Sequence, residues 1–233
     1  EDQFGPMAAT VFQYWGIING QVFIRRHFHM SKVAIVTLNY NGKKDTLELL
    51  SSLKTLYPKP YTLKTIVVDN ASSDGSVPAI HKQFPEVNII QAGANLGFSG
   101  GFNKGIEYGQ VWGADYFLLI NNDCLIKDSN LLEELIKTAQ SDEKIGLVSP
   151  KIYFAKGYEF HKDRYSKDDL GKVIWFAGGE FDWSYIGNKH RGIDEIDSGK
   201  YDLEQEQGIF SGACVLIKKE VFEEVGLFNK DYF

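Results

Sequence analysis

From residue 33 to residue 149 the chain repeats one pattern: a short β-branched apolar run, a polar stop, then apolar residues at helical spacing. Residues 33–38 form the first run, and Asn39-Tyr40-Asn41-Gly42 ends it. Leu49, Leu50, Leu53, Leu56 and Tyr57 then share one helical face, and Pro58 predicts the stop. Residues 65–68 are the second run, ending at Asp69-Asn70; 76–83 read as a short helix and 87–90 as a third run. Residues 116–120 are the fourth, ending at Asn121-Asn122-Asp123. Leu131, Leu132, Leu135, Ile136 and Ala139 mark another helix, and 145–149 the strand after it. Runs this uniformly apolar are buried on both faces. Their alternation with helices predicts an α/β fold with a mostly parallel sheet covered on both sides.

The rest of the chain is less regular. Residues 95–101 read as a glycine-rich turn that leads into a helix carrying Phe102 and Ile106. Residues 155–171 have no clear period and read as a surface loop, while 173–177 and 208–217 look like strands. The stretch 194–207 is acidic and hydrophilic, and a last helix, 219–225, ends at Gly226 as its C-cap.

Apolar residues make up 43% and aromatics 14% of the 233, enough for a sizeable core. A net charge of −6 and four arginines give no basic stripe, which argues against a nucleic-acid partner. An anionic ligand would then need a divalent cation, backbone N–H groups or a helix N-terminus. Two cysteines far apart, Cys124 and Cys214, make neither a disulfide framework nor a zinc motif, so a reducing, cytoplasmic setting is expected. Cys124 has no base nearby in sequence and reads as inert.

The chain begins at Glu1, and Met30 is the expected true start, with residues 1–29 an added or extraneous leader. The uncharged run 7–24, followed by Arg25-Arg26, resembles a membrane or membrane-surface helix. Gln13, Asn19 and Gln21 weigh against a spanning one.

In open α/β sheets, ligands bind beyond the C-terminal ends of parallel strands. Three polar clusters fall at such ends: 39–41, 69–72 and 121–123. Asp69 can accept hydrogen bonds from a base or a ribose; it equally suits an Asx turn with Ser72, Ser73 and Asp74. Asp123 can hold Mg2+ or Mn2+, ions that take few protein ligands and fill their shell with phosphate oxygens and water. It equally suits a turn, with Asp128 or Ser129 capping the next helix. Gly97, Gly100 and Gly101 permit close approach of a ligand, or tight packing of helix on sheet. Asn95 and Asn103 offer amides there. His81, His161 and His190 lack metal-ligand spacing, and Arg191 reads as a solvated loop residue.

Val36-Thr37-Leu38-Asn39-Tyr40-Asn41-Gly42, the Asp69-Asn70-Ala71-Ser72-Ser73-Asp74-Gly75-Ser76 segment, the stretch from Asn95 to Ile106, and Leu119-Ile120-Asn121-Asn122-Asp123 together resemble the ordered motifs of family 2 glycosyltransferases. The likeness is to the rhamnosyltransferase-like branch and runs on through Trp175 to Gly179 and 210–233. It implies a GT-A fold, a Rossmann-like αβα sandwich, with 30–150 as the nucleotide-binding half and 151–233 as an incomplete acceptor half. It implies inverting transfer of a sugar from a dTDP- or UDP-linked donor to a glycan or lipid-linked acceptor, with contact at the inner face of the membrane. By the same resemblance, Leu38, Asn39 and Tyr40 line the base pocket, and Asp69, Asn70 and Ser72 meet base or ribose. Asn95, Gly97, Phe98, Gly101 and Asn103 close over the nucleotide, beside Asn122, and Asp123 holds Mn2+ or Mg2+ on the diphosphate. Gly212 and Ala213 lie near the acceptor and donor sugar, and Trp175 is a stacking platform or plain core.

The acidic pair that supplies the general base in similar proteins is expected beyond Phe233. Glu180, Asp182 and Asp231 have no spacing that marks them for the role. Two other readings stay open: a non-catalytic nucleotide- or carbohydrate-binding fragment, and a nucleotidyltransferase. The latter would want a glycine-rich loop with a basic residue after the first strand, unlike Asn39-Tyr40-Asn41-Gly42-Lys43-Lys44.

Overall fold

The computed structural model describes residues 12–18, 21–27, 30–56 and 60–232. Tyr57, Pro58 and the remaining leader positions lie outside the described residues. The leader's described part is not helical. Strands β1 (Phe12–Ile18) and β2 (Gln21–His27) pair antiparallel, with Phe12 opposite His27. Asn19-Gly20 separates them in sequence, a strong hairpin signal that outweighs the helix-like lack of charge. Among the described residues, no helix is long and apolar enough to cross a membrane.

The body of the chain begins with β3 (Lys32–Asn39), α1 (Lys43–Leu53), β4 (Thr62–Asp69), α2 (Ser76–Gln83) and β5 (Asn88–Gln91). Next come α3 (Gly97–Trp112), β6 (Tyr116–Ile120), α4 (Leu131–Ser141) and β7 (Leu147–Val148). The second part holds β8 (Ile152–Tyr153), β9 (Ile174–Phe176), β10 (Gly179–Asp182), β11 (Gly187–His190), β12 (Cys214–Lys218) and α5 (Lys219–Val225). The central sheet has the order β5-β4-β3-β6-β12-β7. Its first four strands are parallel; β12 runs antiparallel between β6 and β7.

Successive strand residues serve opposite faces, and both faces are buried. Val33, Ile35, Val67, Leu118 and Ile120 pack with Leu49, Leu50 and Leu53 of α1, Ile80 of α2, and Leu132 and Leu135 of α4. Ala34, Val36, Ile66, Val68, Phe117 and Leu119 pack on the other side with Phe102 and Ile106 of α3 and Phe222 of α5. This is the expected αβα sandwich, with helices closing both sides of a mostly parallel sheet.

The glycine-rich segment is not a turn before α3 but its first turns. Gly101, Gly105 and Gly109 recur every four residues, so they share one helical face. A Cβ on Gly105 would come within 2.2 Å of Val36 Cγ1, one on Gly109 within 2.6 Å of Phe117 Cε1, and one on Gly101 within 2.9 Å of Leu38 Cδ2. These glycines let the helix axis lie close to the sheet. Three further expectations change. The strand at 145–149 shortens to β7, the one at 208–217 begins at Cys214, and β10 and β11 form a hairpin where the sequence showed no strand pattern.

The second part is held by polar pins rather than by a repeating pattern. The buried Glu159 carboxylate accepts the Gly157 and Gly171 N–H groups at 2.8 and 2.6 Å, closing the loop that contains them. Lys151 Nζ lies 2.6 Å from both Asp197 and Asp202, fixing the hydrophilic stretch against the body of the domain.

Candidate active site

The strands lead from β3 through β4 to β5 on one side and to β6 on the other. The order of connection therefore reverses across the sheet between β3 and β6, the switch point beyond whose C-terminal strand ends ligands bind in open α/β sheets. Asn39 ends β3 and stands in register with Asp69, which ends β4. Asn39 Nδ2 donates to Asp69 Oδ1 at 2.7 Å and to Ser72 Oγ at 2.8 Å. Asn39 Oδ1 accepts from Thr46 Oγ1 at 2.8 Å, and Thr46 Oγ1 accepts from Asn122 Nδ2 at 3.0 Å. Four side chains from β4, β3, α1 and the loop after β6 thus form one continuous hydrogen-bonded chain. It joins Asp69 to the residue before Asp123.

Asp69 is only 2% exposed, but it is not sealed in. With Ser72, Ser76, Pro78 and Gln91 it lines an open cleft of ≈ 400 Å³ between the ends of β4 and β5 and the start of α2. Its second oxygen accepts the Ser72 N–H at 3.0 Å. Ala71, in the tight turn between them, has φ 65°, a left-handed conformation that costs a non-glycine residue about 1–2 kcal/mol. Strain of this kind persists only where surrounding bonds over-determine the turn. Tyr40 stands exposed nearby in sequence, one residue past Asn39.

Asn70, Leu38, Gly97 and Gly101 come together one layer below. Asn70 Nδ2 donates to the Gly97 carbonyl at 3.0 Å, and its amide and Leu38 fill the space a Gly101 side chain would need. Asn95 Oδ1 accepts the Gly97 N–H at 3.0 Å and turns the chain into α3. Phe98 is half-exposed, stacks on Phe102 at 4.6 Å, and covers Gly212, whose Cβ would lie 3.1 Å from its ring. Asn103 differs from its expected role. It is buried, and its amide is paired at both ends with the Phe228 backbone, at 2.7 and 3.0 Å. It ties the segment after α5 to α3.

Asp123 lies on the exposed loop after β6. The loop is fixed by Asn121 N–H to the Ala213 carbonyl at 2.9 Å and by Ile126 N–H to Ser52 Oγ at 3.1 Å. Ala213 therefore sits beside the end of β6. The Asp123 carboxylate has one hydrogen-bond neighbour among the described residues, the Cys124 thiol at 4.0 Å. Burial, and then the Asp123 charge, push that thiol up to about 12, so it stays protonated and inert. No group of three His, Cys, Asp or Glu side chains forms a closed metal cage among the described residues. One unencumbered hard carboxylate suits Mg2+ or Mn2+ that arrives with phosphate oxygens and water as its other ligands.

Trp175 sits between buried Ile174 and Phe176 on β9 and so points away from their core. Its ring neighbours are Phe176 at 6.3 Å and His190 at 5.9 Å. Asp182 is engaged in a turn, accepting from Ser184 N–H and Oγ–H. Arg191 is not a solvated loop residue: it is part-buried over the Tyr201 ring, 5.0 Å from its centroid.

The sequence reading missed Thr46, Gly42 and Gln91. Thr46 precedes Leu49, Leu50 and Leu53 by three, four and seven positions, so a polar side chain in an apolar stripe was its signal. Gly42 leaves room for the Asn122 amide, which a Cβ there would meet at 2.4 Å.

Known proteins share this fold and sequence pattern. Residues 33–226 match the Glycosyl transferase family 2 model. The N-acetylglucosaminyl-diphospho-decaprenol L-rhamnosyltransferase of Mycobacterium tuberculosis is 23% identical over 211 residues, 85% of this chain and 65% of that protein. The low-salt glycan biosynthesis hexosyltransferase Agl10 of Haloferax volcanii is 23% identical over 205 residues, 88% of this chain and 58% of that protein. The chain thus spans about two thirds or less of the relatives it matches. The structure of the mannosyltransferase PcManGT from Pyrobaculum calidifontis, in complex with GDP-Man and Mn2+, superposes with a TM-score of 0.57 at 19% identity. That match covers 87% of this chain and 49% of that one, and it establishes the shared GT-A fold. By its matched length and its architecture, this chain belongs to glycosyl transferase family 2.

Proposed function

We propose that this chain binds a nucleoside-diphosphate sugar in the crevice between Asp69 and Asp123 and transfers the sugar to a hydroxyl acceptor. One observation carries the reading: a hydrogen-bonded chain runs from buried Asp69 to Asn122, next to the exposed Asp123 at the switch point of the sheet. Residues 30–150 supply the nucleotide-binding half, and 151–233 contribute to the acceptor half. Asp69 and Ser72 receive base or ribose in the cleft, with Tyr40 at its rim. Asn95, Gly97, Phe98 and Gly101 shape the adjoining wall, and Gly212 and Ala213 border the sugar. A dTDP- or UDP-linked donor and a glycan or lipid-linked acceptor fit this reading, given a mycobacterial relative named for a diphospho-decaprenol acceptor. Two free cysteines fit a reducing, cytoplasmic setting.

The acceptor hydroxyl attacks the anomeric carbon, the bond to the diphosphate oxygen breaks, and the configuration inverts. The hydroxyl proton passes to a carboxylate base. Asp123 would hold Mn2+ or Mg2+, which when bound offsets the charge growing on the diphosphate. Calorimetric titration with UDP- and dTDP-sugars, with and without MnCl2, tests the reading. Binding that needs manganese and is lost in Asp123→Ala supports it. Sugar binding without nucleotide would point to a carbohydrate-binding module, and preference for triphosphates to nucleotidyl transfer.

A further inference from the structure

We propose that Thr46 is a positioning residue that couples nucleoside binding at Asp69 to metal–diphosphate binding at Asp123; this rests on the reading of the crevice just given. The residue is fully buried in α1, in line with Leu49, Leu50 and Leu53. A valine would fill the same space, and a buried hydroxyl is unfavourable unless it is paired. Thr46 is paired on both sides, and the direction of every bond in its chain is fixed. Both Asp69 oxygens accept, from Asn39 Nδ2 and from the Ser72 N–H, so Asn39 turns Oδ1 toward Thr46. Thr46 must then donate its single hydroxyl proton to Asn39, which leaves its lone pairs for Asn122 Nδ2. The polarity runs one way, from the amide beside Asp123 to the carboxylate in the cleft, and bonds aligned in this way polarise one another.

The surroundings single out this tie. The loop that carries Asp123 is also bound to Ala213 and to Ser52, but among the described residues only the Asn122–Thr46 bond continues through Asn39 to Asp69. The first turn leading into α1 is open at Gly42, which is what lets the Asn122 amide reach Thr46. A ligand that shifts Asp69, or a cation that shifts the Asp123 loop, therefore moves the other end of the same four-residue chain.

The test uses UDP and dTDP as probes, titrated into the full chain with and without MnCl2. The ratio of the two affinities measures the coupling. In Thr46→Val the ratio should fall by about fivefold or more while metal-free affinity changes by less than about twofold, and Thr46→Ser should restore it. An unchanged ratio in folded Thr46→Val, or an equal loss with and without manganese, overturns the proposal. Asn122→Ala cuts the same bond from the surface, so it reports even where Thr46→Val fails to fold. Its ratio should fall likewise, the double variant should lose no more than either single one, and an unaltered ratio overturns the proposal. If the wild-type protein binds both nucleotides and manganese leaves those affinities unchanged, the reading of the crevice itself fails, and this inference with it.

Discussion

Asn39 and Asp69 meet at the ends of neighbouring parallel strands, with Nδ2 and Oδ1 2.7 Å apart and neither residue more than 2% exposed. The Asn39 amide gives the carboxylate at the floor of the cleft a donor without placing a second charge beside it. Asn39→Asp keeps the shape and replaces the donor with a second carboxylate. Two such groups at bonding distance cannot both ionise easily, so one takes up a proton and its titration moves upward. We expect the variant to lose about 1–3 kcal/mol at pH 8 and clearly less at pH 5, where sharing a proton relieves the repulsion. Urea midpoints at the two pH values check this, and an equal loss at both would remove the charge argument.

Gly105 lies opposite Val36, and an added Cβ would come within 2.2 Å of Val36 Cγ1 and 3.2 Å of Val68 Cγ2. In an open helix, alanine in place of glycine stabilises by about 1 kcal/mol. Here the overlap reverses the sign, because both neighbours are fully buried strand residues. Gly105→Ala should destabilise by about 1–3 kcal/mol and lower Tm by several degrees. Val36→Ala in the same background should recover part of the loss. A raised Tm in the single variant would show that α3 lifts off the sheet at no cost.

The elements with a clean period were legible before the structure. β3 and β4 are apolar runs that end in Asn39 and Asp69, β6 is one that Asn121 follows, and α2 and α5 have the limits expected for them. Gly97, Gly100 and Gly101 read as a turn because glycine signals both turns and close packing, and only the sheet beneath α3 decides between them. The hairpin of β10 and β11 was hidden because no apolar alternation marks Gly187-Asn188-Lys189-His190, whose middle residues face solvent. At the site, Asn39, Asp69 and Asn122 were visible as strand ends. Their connection was not, because it passes through Thr46, a residue whose role exists only once α1 lies against β3.

Cys124 and Cys214 should be poor nucleophiles for the same physical reason. Burial raises both thiols, with the Asp123 charge adding to it at Cys124 and the neighbouring thiol at Cys214. With Cys124 up at about 12, its thiolate fraction at pH 8 is about one in ten thousand. Alkylation by iodoacetamide at pH 8 should therefore be slow in the folded protein and fast in urea for both residues. Asp123→Asn removes one of the two causes at Cys124 and should speed its alkylation while leaving Cys214 unchanged, as read by mass spectrometry of the labelled peptides.

Asp197 gives the fold an acid-sensitive pin. Burial alone would raise its titration point, but hydrogen bonds from Lys151 Nζ, the Tyr153 hydroxyl and the Gly199 N–H outweigh it and hold the carboxyl at about 2. The unfolded chain binds a proton at the ordinary carboxylate value near 3.9, above the folded one. The folded state is thus favoured while Asp197 is ionised, by an amount of order 1–2 kcal/mol. That contribution is complete above about pH 4 and is lost as pH falls toward about 2. Asp197→Asn should be less stable than wild type at pH 6 by about this margin, and the gap should narrow steadily below pH 4. Thermal melts at pH 6, 4 and 2.5 measure it. A gap that stays constant across that range would mean that Lys151 holds the 194–207 stretch through Asp202 alone.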